Sequence, residues 1–279
     1  MIQHTVTAQG ILDFGRYLIH EEKSTATLEK YLRDVRAFAV FLSGRPISKE
    51  IALDYKQQLL DSGYAIRSVN SMLASLNSFL GWLGLPECRV RTVRQQKQIY
   101  CPEEKELSRE EYLRLVAAAG NQPKLQLILK TICGTGIRVS ELKYFTLQAV
   151  RQGEAVVRCK GKTRTVLIPR QLRRLLLDYA QKEKLRSGPI FVSRNGTPLN
   201  RSRVWALMKG LCARAGVDPR KVFPHSLRKL FARTFYGIEK DIAKLAGILG
   251  HSSIETTRIY IISTGQEHRQ KLERLGLIT

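Results

Sequence analysis

The sequence is poor in features that mark several large classes of protein. It contains only five cysteines among 279 residues, and none of them forms a C-x-x-C pair. An odd number of widely spaced cysteines argues against both a disulfide framework and a zinc knuckle. We expect reduced thiols that serve mainly in packing at all five positions: Cys88, Cys101, Cys133, Cys159 and Cys212.

Long apolar runs and a signal peptide are also missing. No stretch approaches the roughly 18 uncharged apolar residues needed to span a bilayer. The first residues, MIQHTVTAQG, lack a charged region followed by an apolar one. These absences predict a cytoplasmic protein that does not enter a membrane.

Acidic residues are scarce relative to basic ones. Only 24 Asp and Glu stand against 47 Lys and Arg, which gives a net charge of +23. Such an excess attracts polyanions and supports phosphate contacts that do not depend on base sequence. Solubility or an anionic membrane is the alternative reason, but no single amphipathic segment collects the basic residues. The charge therefore predicts a nucleic-acid partner.

Apolar spacing predicts helices throughout the first hundred residues. Apolar side chains recur at three- and four-residue steps over 28–42 and again over 69–83. Gly10, the segment 43–46 and Gly63 separate about four helices with short connections. This half of the chain is therefore predicted to be a helical bundle.

The pattern stops in a polar, charged segment at 91–107, which predicts a linker. Ser108 and Glu111 then form a candidate capping box for a new helix. Further on, β-branched residues in 154–159 and 163–168 predict a hairpin within an otherwise helical half. The expected fold class is mainly α with a small β-hairpin.

Cleavage of a DNA phosphodiester requires a nucleophile, cations on the non-bridging oxygens and an acid for the departing 5′ oxygen. In the segment GTGIRVSEL, residues 134–142, two glycines end a helix and direct Arg138 from the next element. A guanidinium placed there could hold two phosphate oxygens. A helix end followed by a surface Arg–Glu pair is the alternative interpretation.

Two further segments carry proton-transfer and nucleophilic groups. PHSLR starts a helix on which His225 and Arg228 share one face, although a surface helix start explains the same pattern. LGHSS ends one helix after His251 and begins another that carries Tyr260. Alone, Tyr260 is equally typical of a half-buried helical tyrosine.

In this order the segments resemble the tyrosine recombinase (phage integrase) family, in the short two-domain form of the Xer recombinases and of mobile-element integrases. Thr135–Leu142 resembles its first arginine box, Pro224–Ala232 its His-x-x-Arg box, and Leu249–Ile261 its third box, with the tyrosine nine residues after the histidine. The resemblance covers about 108–265. It implies a SAM-like DNA-binding domain at 1–90, a linker at 91–107, and a catalytic domain with a C-terminal helix at 108–279, which together clamp DNA.

The resemblance implies site-specific recombination through a 3′-phosphotyrosine bond at Tyr260, with no cofactor and no metal. It makes Arg138 and Arg228 the clamp on the scissile phosphate. His225 would assist the tyrosine proton, and His251 would support the phosphate.

The hairpin would supply the acid for the 5′ oxygen. Lys160 aligns best with the lysine of the family, and Lys162 is the alternative because the turn here is one residue shorter. Glu141 would buttress the first arginine. Lys229 departs from the second histidine that many relatives carry, and would add positive charge near the site.

The implied partners are double-stranded DNA and further copies of the same chain. Two protomers per core site would form a synaptic tetramer, in which the tail after Gly265 docks into a neighbour. Packing of the tail onto its own domain is the alternative, and an accessory protein is a further expected partner. Candidate groove contacts, which could equally be a solvated helix face, are Arg67, Asn70, Ser71 and Asn77.

The implied biology is integration and excision of a mobile element or Xer-type resolution of chromosome dimers, in the cytoplasm and at the nucleoid. Two other functions remain open at this point. The charge alone is compatible with a non-catalytic DNA-binding regulator, and the tyrosine chemistry is shared by type IB-like topoisomerases.

Overall fold

The computed structural model describes residues 5–95, 106–159, 161–193, 195–262 and 265–275. The chain divides into two compact units, Met1–Lys97 and Gln98–Thr279. Most of the segment predicted as a linker lies outside the described residues. The domain limits derived from the sequence stay a prediction.

Helices build the described part of the first unit: α1 (Ala8–His20), α2 (Thr25–Leu42), α3 (Lys49–Asp61), α4 (Ile66–Trp82) and a short 3₁₀ turn at Pro86–Cys88. Hydroxyl side chains at Thr7, Ser24 and Ser48 accept backbone N–H groups and so begin α1, α2 and α3. The apolar faces pack inward, and the rings of Phe14 and Phe79 meet edge to face at 5.1 Å.

The second unit is helical around one hairpin. Its elements are α5 (Arg109–Ala118), α6 (Pro123–Thr135), a 3₁₀ helix (Val139–Tyr144), α7 (Leu147–Gln152), β1 (Glu154–Cys159), β2 (Lys162–Leu167), α8 (Arg170–Lys182), α9 (Arg201–Lys209), α10 (Cys212–Ala215), a 3₁₀ turn (Pro219–Lys221), α11 (Pro224–Glu239), α12 (Ile242–Leu249), α13 (Ile254–Ile261) and α14 (Gly265–Glu273).

The predicted fold class, mainly α with a small hairpin, is confirmed. The strands β1 and β2 pair antiparallel, from Glu154 opposite Leu167 to Cys159 opposite Lys162. The predicted capping box also forms, because Ser108 and Glu111 exchange hydrogen bonds at the start of α5. In the described part of the chain, no helix is both long and apolar enough to cross a membrane.

The second unit has a large core and a small satellite core. The large one gathers apolar residues from α5 to α11 around the buried rings of Phe145 and Phe191. The small one consists of Ala232, Leu245, Leu249 and Tyr260, with partly buried aromatic residues beside them. Since α12 and α13 contribute to this small cluster, it positions the helix that carries Tyr260.

Candidate active site

Arg138 lies in a turn set by the end of α6. Gly136 closes that helix with a left-handed φ of 66°, and a Cβ there would collide with the ring of Phe231. Arg138 then begins the 3₁₀ helix. Its Nη1 donates to Glu141 Oε1 at 3.0 Å, and its backbone N–H donates to Oε2 at 2.8 Å. The guanidinium is thus held at the surface while its partner is buried.

The carboxylate of Glu141, which is 1% exposed, is shared with a second arginine. Arg164 on β2 donates to both of its oxygens, and the Nε of Arg164 donates to Ile248 O at 3.1 Å. Burial alone would raise the pKa of Glu141, but hydrogen bonds from Arg164 and Arg138 outweigh burial and lower that pKa. Sequence reasoning missed Arg164, because only the fold brings it to a partner 23 positions away.

Arg228 is buried on α11, with 1% of its surface exposed. Its guanidinium donates to the carbonyl of Gly136, to Leu249 O at 2.6 Å, and towards His251 Nε2 at 3.0 Å. Its Nε has no hydrogen-bond partner among the described residues. Desolvation, followed by the charge of Arg138, lowers the pKa of Arg228 to about 10, so the group remains a cation at neutral pH.

His251 follows Gly250, the left-handed residue that ends α12. An arginine only donates hydrogen bonds, so His251 Nε2 must accept the one from Arg228. The proton of the neutral ring then lies on Nδ1, which donates to Thr257 Oγ1 at 2.9 Å. Burial, and then the charges of Arg228 and Arg138, lower the pKa of His251 to about 4. The ring is therefore neutral at neutral pH.

Tyr260 on α13 lies between the two predicted histidines and is 6% exposed. Its ring centroid is 4.9 Å from that of His225 and 5.1 Å from that of His251. The guanidinium carbon of Arg228 is 6.0 Å from the same ring. Burial, and then the charge of Arg228, lower the pKa of His225, which favours a neutral imidazole that can accept a proton.

A cavity of about 180 Å³ opens beside these groups. Its polar lining consists of Arg138, Ser140, Arg201, His225 and Arg228. Three guanidinium groups around one small space form a site for an anion such as a phosphate. The sequence had not singled out Arg201.

The hairpin carries the two lysines predicted as candidate acids. Lys160 lies outside the described residues. Lys162 donates through Nζ to Ser252 Oγ at 3.2 Å, so the start of β2 contacts the loop that carries His251.

Lys229 adds positive charge near the site, as expected, because its charge is among those that lower the pKa of His225. Its Nζ is paired with the carboxylate of Glu106, which also pairs with Arg233. Since all three side chains are mostly buried, the carboxylate offsets part of the charge that Lys229 brings to α11.

The predicted groove contacts on α4 divide into two kinds. Arg67 and Ser71 are exposed. The amide of Asn70 exchanges two hydrogen bonds with the backbone of Val93, and that of Asn77 does the same with Val90. These amides therefore fix the extended segment after α4, a structural task that the sequence did not predict.

Within the described ranges, no group of three or more His, Cys, Asp and Glu side chains is arranged to hold a metal ion.

Two protein-family models match the chain. The model described as the phage integrase family matches residues 105–267, and the model described as the phage integrase N-terminal SAM-like domain matches residues 11–85.

Individual relatives match over nearly the full length. The tyrosine recombinase XerA of Pyrococcus furiosus is 29% identical, with 100% of this chain and 98% of the relative covered. XerA of Thermococcus kodakarensis is 30% identical, with 96% and 95% covered.

Solved structures show the same fold. A lambda integrase dimer bound to a COC' core site superposes with a TM-score of 0.73 at 20% identity, with 94% of this chain and 97% of that chain covered. A lambda integrase tetramer bound to a Holliday junction gives 0.70 at 19% identity, with 92% and 78% covered.

Proposed function

This chain belongs to the phage integrase family, as its three ordered motifs predicted, and we propose that it is a tyrosine recombinase that cleaves and rejoins DNA through Tyr260. The observation that carries the proposal is the position of that phenol. It lies within about 5 Å, ring to ring, of two histidines and next to a buried arginine. The neighbouring cavity is lined by further cations, as the phosphodiester reaction requires.

The two motif arginines form the proposed phosphate clamp. Arg228 is held before DNA arrives, since backbone carbonyls already orient it. Arg138 lines the same cavity and is oriented by Glu141. Cations placed in advance need no reorganisation when negative charge develops on the phosphate oxygens.

Side chains of this chain supply the nucleophile, the proton acceptor and the proton donor of the proposed reaction. The Oη of Tyr260 attacks the phosphorus, and the phenol proton passes to the neutral imidazole of His225. The bond to the 5′ oxygen breaks, and that oxygen takes a proton from a hairpin lysine. Lys160 is the proposed acid and Lys162 the alternative. Because the bond energy is kept in a 3′-phosphotyrosyl ester, a new 5′ hydroxyl can reverse the step.

His251 is proposed to support the phosphate indirectly. Its Nε2 accepts from Arg228, and its proton is directed at Thr257. In this arrangement the ring orients the clamp rather than donating to the substrate.

Assembly on DNA is part of the proposal. Recombination joins two duplexes, so two protomers per core site and four per synapse are required, and the lambda integrase complexes support both states. We propose that α14 and the residues after it exchange between protomers, and that accessory proteins assist in the cell at the nucleoid. Element integration and excision, and Xer-type dimer resolution, use this same chemistry.

The test is covalent trapping. A pool of duplexes with randomised sequence and a nick near the centre is incubated with the protein, and DNA that stays attached after denaturation is sequenced. We expect an enriched site and a phosphotyrosine at position 260. Tyr260→Phe should form no adduct, whereas Tyr236→Phe, a partly buried tyrosine of the same small cluster, should trap normally. An adduct formed by Tyr260→Phe would overturn the assignment.

A further inference from the structure

Arg201 is a cation for which the described part of the chain provides no counter-ion. It is the first residue of α9, it is exposed, and its guanidinium makes no hydrogen bond or ion pair with any described residue. It nevertheless lines the anion cavity together with Arg138 and Arg228. It shares that lining with His225, the proposed proton acceptor, and its charge is among the causes that lower the pKa of His225.

Helix stability does not explain this arginine. The positive end of the helix dipole lies at the N-terminus, where a cation is unfavourable, and the first turn of α9 contains no acidic residue. The nearby arginines add like-charge repulsion. An arrangement that is electrostatically unfavourable in the free protein becomes favourable when an anion enters the cavity.

A second cavity adjoins the one lined by Arg138 and Arg228. This second space, of about 580 Å³, shares Arg201, Pro224 and His225 with the first. Trp205 and Lys209 also line it, and they follow Arg201 at four-residue steps on one face of α9. The indole of Trp205 is 48% exposed, and Lys209 Nζ is 5.7 Å from its ring. An exposed aromatic ring among cations is typical of surfaces that contact a nucleic-acid strand.

Resting on the proposed function, we propose that Arg201 binds the phosphate directly next to the scissile one. The scissile phosphate lies between Arg138 and Arg228, and the strand leaves through the second space along Arg201, Trp205 and Lys209. Arg201 then has two effects. It fixes the strand on one side of the bond that breaks, and its charge favours the neutral imidazole of His225.

The test pairs a protein change with a DNA change. Arg201→Gln and a matched control, Arg203→Gln, each remove one positive charge from the first turn of α9. Arg203 is exposed but does not line either cavity. The substrate is the duplex recovered by covalent trapping, either unmodified or with one neutral methylphosphonate at the phosphate on one or the other side of the cleaved bond.

On unmodified DNA, Arg201→Gln should slow single-turnover cleavage by about tenfold to a hundredfold, the usual effect of losing a charge-assisted hydrogen bond. On one of the methylphosphonate duplexes the same substitution should cost less than about threefold, since the contact is already lost. Arg203→Gln should have the same small effect on all three. The proposal would be overturned if Arg201→Gln slowed cleavage of both methylphosphonate duplexes as much as it slows cleavage of unmodified DNA. It would also be overturned if Arg201→Gln and Arg203→Gln had equal cleavage rates on every duplex.

Failure of the proposed function has a different signature. In that case the wild-type protein itself forms no covalent product on any duplex of the pool. The Arg201 contact is then measured by binding to a short duplex of arbitrary sequence. Loss of one phosphate contact lowers the slope of log K against log salt by about 0.9, and an unchanged slope in Arg201→Gln would refute the contact.

Discussion

Arg164 holds Glu141 in a fork: its Nη1 and Nη2 donate to the two carboxylate oxygens at 3.0 and 2.8 Å. The same carboxylate orients Arg138, so one buried group joins the strand of the hairpin to the first arginine of the clamp. The position of β2 relative to the cavity therefore depends on this shared contact.

Replacing Arg164 should affect both stability and cleavage. A lysine cannot form the fork, so Arg164→Lys should slow covalent trapping by about tenfold while DNA affinity changes little. Arg164→Met leaves Glu141 with one cationic partner and should lower the free energy of unfolding by about 3 kcal/mol. Urea denaturation measures the second effect. Arg158→Met, on the exposed face of β1, should stay within about 0.5 kcal/mol.

Gly136→Ala should destabilise the second unit strongly. The φ of 66° is unfavourable for alanine, and its Cβ would collide with Phe231 and lie 3.0 Å from a methyl group of Leu249. We expect a loss of about 3 kcal/mol or more in unfolding free energy. Gly196→Ala has a similar φ of 74° with no atom within 4 Å, so it should lose only about 1 kcal/mol. Equal losses would contradict the packing explanation.

The free energy of unfolding should decrease as the pH is lowered from 7 to 4, in part because of His251. Its pKa is about 4 in the folded protein, against 6.5 for an ordinary histidine. The neutral ring is therefore favoured by folding, and its contribution is complete above pH 6.5 and disappears between 6.5 and 4. The groups that act on its charge are all basic: Arg228, Arg138, His225 and Arg164.

The measurement compares wild type with His251→Gln by chemical denaturation at pH 7 and at pH 4.5. Wild type should lose more stability between these values than the variant does, by on the order of 1 kcal/mol after allowance for solvent screening. His20→Gln, at the exposed end of α1, should follow wild type. A variant that loses as much stability as wild type would show that another group titrates.

The proposed acid can be identified with a modified leaving group. Loss of a general acid slows cleavage by about a hundredfold to ten-thousandfold, but a 5′ sulfur leaves without protonation. Lys160→Ala should be slow on the oxygen substrate and normal on the sulfur one. Lys162→Ala should lose less of the cleavage rate, and the 5′ sulfur substrate should not restore that rate. The reverse pattern would assign the acid to Lys162, and no rescue in either variant would reject a hairpin lysine.

The sequence predicted those parts of the fold that depend on local patterns. The helices of the first unit follow from three- and four-residue apolar spacing, and the hairpin follows from β-branched residues on either side of a glycine turn. The motifs also predicted the group of residues around Tyr260, because their order is specific even though each one is common alone.

Other contacts were not predictable, because they depend on which distant elements meet. Arg164 is one basic residue on a strand until the hairpin packs, through β1, against the 3₁₀ helix that carries Glu141. The backbone contacts of Asn70 and Asn77 likewise arise only because the chain returns beside α4, and their role as groove contacts stays a prediction. These side-chain contacts depend on which distant segments meet in the fold, and local sequence patterns do not reveal that.

The small satellite core around Tyr260 makes the proposed cleavage depend on correct folding. Arg228 is oriented by carbonyls at the ends of α6 and α12, and Tyr260 is held by a cluster to which α11, α12 and α13 contribute. A copy in which these helices have come apart has neither an oriented Arg228 nor the proposed nucleophile beside it. We expect such a damaged copy to be attracted to DNA by its charge and yet to leave the strand intact. Under the proposed function, correct folding is therefore a precondition for DNA cleavage.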